Sequence, residues 1–204
     1  MISIVNYGLG NLGSILNMLK YLGKEAEIID TPAQLASANK IILPGVGAFD
    51  AGMQQLEENR WIEALNQKVI IDKVPTLGIC LGMQLMANCS EEGNRKGLGW
   101  IDAEVKKFVF DATNGLKIPH MGWNDAILAK SSNILDSTNK EHRFYFVHSY
   151  YVALNNVAET LTTTKYGINF ASGFIKDNII GVQFHPEKSH RYGMELLRNF
   201  ADKY

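Results

Sequence analysis

The centre of the chain carries the stretch Thr76-Leu77-Gly78-Ile79-Cys80-Leu81-Gly82-Met83-Gln84, which continues an apolar run from Val74. Apolar, helix-favouring residues follow it, so the pattern predicts a strand, a sharp turn at Cys80 and a helix. In such an elbow the turn residue is strained, and the flanking glycines let strand and helix approach closely. The helix start would favour a thiolate and could bind an oxyanion. The stretch therefore predicts a nucleophile with its sulfur in solvent; a buried core cysteine is the alternative.

Length and composition narrow the class of protein. The 204 residues suit one domain, residues 1–204, and the net charge of -1 gives no field that would attract nucleic acid or an anionic membrane. The two cysteines, Cys80 and Cys89, are too few for a disulfide scaffold or a zinc cluster. We therefore expect a cytoplasmic protein without a bound metal. We also expect neither a signal peptide nor a membrane span.

A glycine-rich turn near the start of the chain offers a competing interpretation. Gly8, Gly10 and Gly13 match the dinucleotide fingerprint Gly-x-Gly-x-x-Gly between an apolar run at 2–5 and a helical pattern. Asp30 ends a second apolar run at the distance expected of a ribose-binding acid. The turn predicts either a nucleotide site or a tight packing turn.

The order of patterns predicts an α/β fold. Up to residue 90, apolar runs at 2–5, 26–29, 40–43 and 74–79 alternate with helical patterns, one of them at 50–71 with a break near Asn59. This predicts a parallel sheet with a site at the carboxyl ends of its strands. The runs at 103–110, 144–152, 160–164 and 181–184 predict an added antiparallel section, and 188–200 predicts a final helix. Residues 119–124 fit neither a helix nor a strand.

The segment Phe184-His185-Pro186-Glu187 supplies a base for the cysteine. Residues two apart in an extended chain point to the same side, so Glu187 can reach the His185 ring and orient it. The second ring nitrogen would then face the thiol, as in a catalytic triad. His148 is a rival base, although its aromatic strand favours a packed or backbone-positioning role.

Three motifs in this order and spacing resemble those of class I glutamine amidotransferases: Pro44-Gly45-Val46-Gly47, Gly78-Ile79-Cys80-Leu81-Gly82-Met83-Gln84 and His185-Pro186-Glu187. Within that class, the segments 6–12, 119–124, 145–150 and 184–189 resemble the glutaminase subunits of imidazole glycerol phosphate synthases. The similarity covers essentially the whole chain. It leaves no room for a synthase domain.

The resemblance implies a triad of Cys80, His185 and Glu187 that splits L-glutamine into glutamate and ammonia, without a metal or organic cofactor. The other implied site residues are Leu81 and Val46 or Gly47, whose N–H groups would hold the oxyanion, and Gln84, His148, Ser149 and Tyr150, which would hold the substrate. A flip of the loop 44–47 could keep the site idle until the partner is loaded.

The resemblance also implies a partner, a (β/α)₈-barrel cyclase subunit that forms a heterodimer with the chain. It would use the ammonia to make imidazole glycerol phosphate and aminoimidazole carboxamide ribotide in histidine biosynthesis. Asn11, Trp123 and Lys188 fall at positions that the family uses at this interface, and the loop 8–13 becomes part of the same surface. Three alternatives stay open: a paralogue that feeds ammonia to another acceptor such as a sugar-modifying synthetase, a dinucleotide-binding module, and a regulatory subunit without activity.

Overall fold

The computed structural model describes residues 1–110, 115–135 and 141–204. The strands are β1 (Ile2–Val5), β2 (Ala26–Ile29), β3 (Lys40–Leu43), β4 (Thr76–Ile79), β5 (Cys89–Ser90), β6 (Ala103–Lys107), β7 (His120–Asp125), β8 (Ile127–Leu128), β9 (Arg143–His148), β10 (Tyr150–Leu154), β11 (Thr160–Tyr166), β12 (Ile168–Lys176) and β13 (Ile179–Val182). The α-helices are α1 (Leu12–Tyr21), α2 (Phe49–Glu58), α3 (Trp61–Asn66), α4 (Leu81–Leu85) and α5 (His190–Lys203).

One mixed sheet organises the described residues. Its first part is parallel, in the strand order β2-β1-β3-β4-β13. Antiparallel pairing continues it through β12, β10 and β6, and β5 lies at the end of this path. Strands β11 and β8 extend it from β12, while β7 and β9 form a separate antiparallel ribbon. The predicted α/β class, a mixed sheet flanked by helices with an added antiparallel section, is confirmed. The sheet was expected to be mostly parallel, but its antiparallel pairings are as numerous as its parallel ones, because the added section is larger than the sequence indicated.

Successive side chains of the parallel strands pack alternately into two hydrophobic cores, one on each face of the sheet. On β3, Ile41 and Leu43 join the core with residues of α2, α3 and α4, whereas Ile42 joins the core with residues of α1 and α5. This alternation is what a strand covered on both faces requires. Each such side chain contributes about 1.5–3 kcal/mol relative to an exposed position. Buried apolar strands thus hold the carboxyl edge in place.

Several strands differ from the sequence predictions. The run 144–152 is divided at Ser149 between β9 and β10, and the two-residue strands β5 and β8 have no counterpart among the predicted runs. Residues 120–125 form β7, although the segment 119–124 showed neither a helical nor a strand pattern. Its pairing with β9 is a long-range contact that local patterns do not reveal. Strand β12 was not anticipated. Strand β13 is antiparallel to β12 but parallel to β4, so it belongs equally to the parallel part of the sheet. The predicted helix break is confirmed, because Arg60 has a left-handed backbone between α2 and α3.

Candidate active site

Cys80 lies at the elbow between β4 and α4. Its φ and ψ angles are 53° and -109°, a conformation that L residues rarely adopt. The Cys80 N–H donates to the Val182 carbonyl at 2.8 Å, which ties the elbow to the neighbouring strand. A Cβ atom on Gly82 would overlap the Leu43 carbonyl oxygen, so only glycine lets α4 start this close to β3. The predicted strand, turn and helix are confirmed.

The cysteine is more enclosed than the sequence suggested. Cys80 is only 7% exposed, and it lines a cavity of about 310 Å³. The prediction of a sulfur pointing into solvent is therefore wrong, because the segments around Gly47 and Val147 border the same cavity. A reactant would therefore meet the sulfur inside this cavity and not on the open surface.

His185 and Glu187 form a buried pair beside this cavity. The Nδ1–H of His185 donates to Glu187 Oε1 at 2.9 Å, and the two side chains are 1% and 2% exposed. Burial lowers the pKa of His185, but interactions with Cys80 and then with Glu187 outweigh it and raise the pKa to about 9. The ring therefore carries a proton at neutral pH. Its Nε2 atom is buried and has no hydrogen-bond partner of normal geometry in the described residues.

The structure brings most of the candidate residues to this one cavity. Its lining consists of Val46, Gly47, Cys80, Leu81, Gln84, Glu92, Pro119, Val147, His148, Ser149, Tyr150 and His185. Glu187 lies behind the His185 ring. The sequence analysis missed Glu92, Pro119 and Val147. Glu92 could have been noticed as an acid in the turn after the elbow helix, and its Oε2 accepts from the Phe49 N–H at 2.8 Å.

His148 lies deep in a hydrogen-bonded chain. Its Nδ1–H donates to the Tyr150 carbonyl at 2.7 Å, so its Nε2 accepts from His120 Nδ1 at 2.9 Å. Burial lowers the pKa of His148 to about 3 and that of His120 to about 4, so both rings are neutral at pH 7. With both nitrogens engaged, His148 holds the Tyr150 backbone and has no free nitrogen for proton transfer.

The loop 44–47 packs against the start of α4. The Leu81 N–H donates to the Gly45 carbonyl at 3.3 Å, and the Tyr7 hydroxyl donates to the Pro44 carbonyl at 2.7 Å. Gly47 has a φ angle of 114°, which lies in the region that favours glycine. The Leu81 N–H, one of the two expected oxyanion donors, is thus already hydrogen-bonded to the loop 44–47, although at a long distance.

The N-terminal glycines do not have the geometry of a nucleotide fingerprint. The third glycine of that fingerprint is needed for close packing, but a Cβ atom on Gly13 would meet nothing within 4 Å. Asp30 accepts a hydrogen bond from the Asn6 side chain at 2.7 Å. The glycine turn is therefore better explained by its backbone, since Gly8 and Gly10 have φ angles of 94° and 124°.

The candidate interface residues lie around one aromatic patch. Trp123 is 41% exposed, stacks on His190 at 5.6 Å and meets the Tyr145 ring edge-on at 6.5 Å. The Lys188 ammonium lies 5.8 Å from the same Tyr145 ring. Asn11 precedes α1, a helix that contacts the turn Pro186–Lys188. The three residues thus come from elements that are neighbours.

Fold and site together define a class of protein: an α/β protein with a strained, buried cysteine at a strand-to-helix elbow and a buried His-Glu pair beside the same cavity. Across residues 1–110, 115–135 and 141–204, no group of three His, Cys, Asp or Glu side chains could hold a metal ion. No helix in the same residues is long and apolar enough to cross a membrane.

Comparisons with known proteins agree with this class. The family model "Glutamine amidotransferase class-I" matches residues 3–204. The chain is 52% identical to "Imidazole glycerol phosphate synthase subunit HisH 2" of Methanococcus maripaludis, covering 98% of both chains. It is 45% identical to the protein of that name in Pseudomonas aeruginosa, covering 99% of both. The chain therefore belongs to the class I glutamine amidotransferase family.

A solved structure supports the fold independently. The structure of PurLQS from Thermotoga maritima superposes with a TM-score of 0.74, covering 99% of this chain and 97% of that chain. The sequence identity is 17%, so this likeness concerns the fold alone.

Proposed function

We propose that the chain is the glutaminase subunit of an imidazole glycerol phosphate synthase and hydrolyses L-glutamine to glutamate and ammonia. The observation that carries this proposal is the single cavity in which Cys80 meets the His185-Glu187 pair. The names of the close relatives support the choice of synthase. We further propose that residues 1–204 form one domain, since both cores are built on the same sheet.

In the proposed reaction the Cys80 sulfur attacks the side-chain carboxamide of glutamine. His185 transfers its proton from Nε2 to the departing nitrogen, so ammonia leaves and a glutamyl thioester remains. Water, deprotonated by the same ring, then cleaves the thioester and releases glutamate. Glu187 holds the ring through Nδ1 and supports its positive charge. The unoccupied Nε2 position is where the leaving group has to lie.

The cavity offers complementary groups for the amino acid end of the substrate. Glu92 provides a carboxylate for the α-ammonium group, and its second oxygen is already anchored on the start of α2. Gln84 and the segment His148-Ser149-Tyr150 complete this side of the cavity. A cavity of about 310 Å³ is at the small end for ligand sites and suits a single amino acid.

The oxyanion formed during attack needs N–H donors, and we propose those of Leu81 and of Val46 or Gly47. Each such donor typically contributes about 10²–10³ in rate. Since Leu81 N–H donates to the Gly45 carbonyl, the loop has to shift for this donor to be fully available. A rearrangement of the loop 44–47 would therefore control the glutaminase activity. Binding of a cyclase partner that carries its own substrate could trigger this rearrangement.

We propose that ammonia passes to a (β/α)₈-barrel cyclase subunit within a heterodimer. The cyclase subunit acts as a lyase and produces imidazole glycerol phosphate and aminoimidazole carboxamide ribotide. Direct transfer avoids protonation and loss of ammonia in water. The proposed docking surface is the aromatic patch with Trp123 and Lys188, together with Asn11. A cytoplasmic location agrees with the two free thiols, of which Cys89 is exposed.

The test is Cys80→Ala in complex with the cyclase. Glutamine-dependent product formation should fall below detection, whereas added ammonium salts should still support the cyclase reaction at the wild-type rate. Cys89→Ser is the matched control and should retain both activities. Equal loss of the glutamine-dependent and ammonium-dependent reactions in Cys80→Ala would contradict the proposal.

A paralogue that feeds another acceptor is the second candidate. Both close relatives carry the number 2 in their names, which is consistent with more than one such subunit in an organism. The glutamine chemistry would be the same, because the acceptor lies on another chain. Affinity purification of the tagged chain from its own cells distinguishes the two: a barrel cyclase supports the synthase, and a sugar-modifying synthetase supports the paralogue.

A further inference from the structure

Gln183 is a fully buried polar residue for which the proposed reaction has no role. It follows β13 and lies two residues before His185 in the chain. The backbone N–H of Gln183 donates to the Ser172 carbonyl at 2.9 Å, which holds the backbone in place. It does not line the cavity, yet its carboxamide lies between the nucleophile and Gln84, a residue that does.

The hydrogen bonds fix the orientation of the Gln183 carboxamide. Its Oε1 accepts from Gln84 Nε2 at 3.0 Å, so its Nε2 faces the Cys80 sulfur at 3.7 Å. An N–H group in this position stabilises a thiolate more than a thiol, because hydrogen bonds to charged acceptors are stronger than those to neutral ones. A buried carboxamide without such partners would be costly, and here both ends have one.

The same bonds fix the orientation of Gln84. Its Nε2 donates to Gln183 Oε1 and also to the Tyr150 carbonyl at 3.2 Å, so both of its N–H groups are used. Its own Oε1 is therefore left as the acceptor of this carboxamide. An acceptor suits the α-ammonium group of an amino acid substrate.

We propose that Gln183 is a positioning residue that sets two properties of the site at once: it stabilises the Cys80 thiolate through its N–H, and it holds Gln84 as an acceptor through its carbonyl. The inference rests on the proposed glutaminase function and adds a residue to it. Gln183 acts through its two neighbours and does not touch the substrate.

The thiolate part is tested by alkylation of the isolated chain with iodoacetamide between pH 5 and pH 10. The background is Cys89→Ser, so that only Cys80 reacts. In Gln183→Met the pH of half-maximal alkylation should rise by about one unit, the size expected for loss of one hydrogen bond to a charged sulfur. Gln183→Glu also lacks the donor and adds a carboxylate, so its midpoint should rise at least as far.

The Gln84 part is tested by steady-state kinetics of glutamine hydrolysis in the complex. Gln183→Glu keeps an acceptor for Gln84, so kcat should fall about tenfold or more while KM stays within about threefold. Gln183→Met removes the acceptor as well, so KM should also rise about tenfold. This difference between the two variants is not expected of a residue that only fills space.

Controls separate these effects from a loss of folding. Gln67→Met and Gln67→Glu are matched changes at an exposed glutamine that begins the π-helical segment Gln67–Ile71, and they should alter neither measurement. Thermal unfolding verifies that each variant is folded at the assay temperature. If the Gln183 variants are folded and keep the wild-type alkylation midpoint and the wild-type KM, the inference is overturned. Absence of glutamine hydrolysis in the wild-type complex would instead contradict the proposed function, and the alkylation midpoint would still test Gln183.

Discussion

Glu187 shows how one buried carboxylate can set the protonation of a site. Its Oε1 accepts from His185, whereas its Oε2 is buried with no hydrogen-bond partner in the described residues. A buried carboxylate of this kind is costly unless a positive charge lies beside it. The imidazolium of His185 supplies that charge. Burial lowers the pKa of His185, but Cys80 and then Glu187 outweigh it and raise this pKa to about 9. The proton needed by the departing ammonia is therefore present across the neutral range.

Glu187→Gln should lower kcat by about 10²-fold with little change in KM, because the ring loses its charged partner and fixed orientation. The raised pKa of His185 means that the protonated ring is lost as the pH passes about 9. Without the Glu187 carboxylate the ring should lose its proton at a lower pH. The alkaline limb of the plot of kcat against pH should therefore shift to lower pH. The measurement is kcat of glutamine hydrolysis against pH.

Glu25→Gln, an exposed carboxylate on another part of the chain, serves as the control and should leave the profile unchanged. An alkaline limb at the same pH in wild type and Glu187→Gln would show that Glu187 does not support the imidazolium.

The elbow is the element on which the site depends, and its glycines differ in what they permit. Gly82 has no room for a Cβ atom, because the Leu43 carbonyl occupies that space. Gly78 is similarly confined by Met86 and Met83 of the following segment. Gly13 in α1 has open space instead. The same residue type is thus a packing requirement in one helix and a cost in the other.

Gly82→Ala should lower the free energy of unfolding by about 1–3 kcal/mol or more, because α4 has to move away from β3. Gly13→Ala is the matched control, and it should raise the free energy of unfolding by about 0.5–1 kcal/mol, because alanine favours a helix at an open position. Urea unfolding of both variants gives these values. Equal stability losses would contradict the packing difference.

The sequence revealed those elements whose signals are local. The elbow at Cys80 has glycines on both sides, and His185 and Glu187 lie two residues apart. The pair was predicted from an extended segment, but Pro186–Lys188 forms a 3₁₀ turn, and this turn brings the Glu187 carboxylate to the His185 ring. Strand β7 escaped notice because Gly122 interrupts its alternation and because its pairing with β9 is distant in the chain. Gln183 escaped notice for a similar reason, since both of its side-chain partners lie about a hundred residues away.

At the scale of the whole molecule, the β7–β9 ribbon connects the cavity to the surface. Val147 of β9 and the adjacent Pro119 line the cavity, while Met121 and Trp123 of β7 are 61% and 41% exposed. These exposed apolar side chains suit the docking surface proposed above for the cyclase. A partner docked there would touch the same ribbon that borders the Cys80 cavity.

Trp123→Ala should weaken binding of the cyclase about tenfold or more, because a partly exposed tryptophan stacked on His190 is a typical anchor of an interface. Tyr21→Ala removes an aromatic ring that is 81% exposed at the far end of α1, and it should change the affinity less than about twofold. Isothermal titration of the cyclase with each variant measures the dissociation constant. If the partner binds through this ribbon, Trp123→Ala should also lower the fraction of released ammonia that reaches the cyclase product. Equal affinities for the two variants would place the interface away from the β7–β9 ribbon.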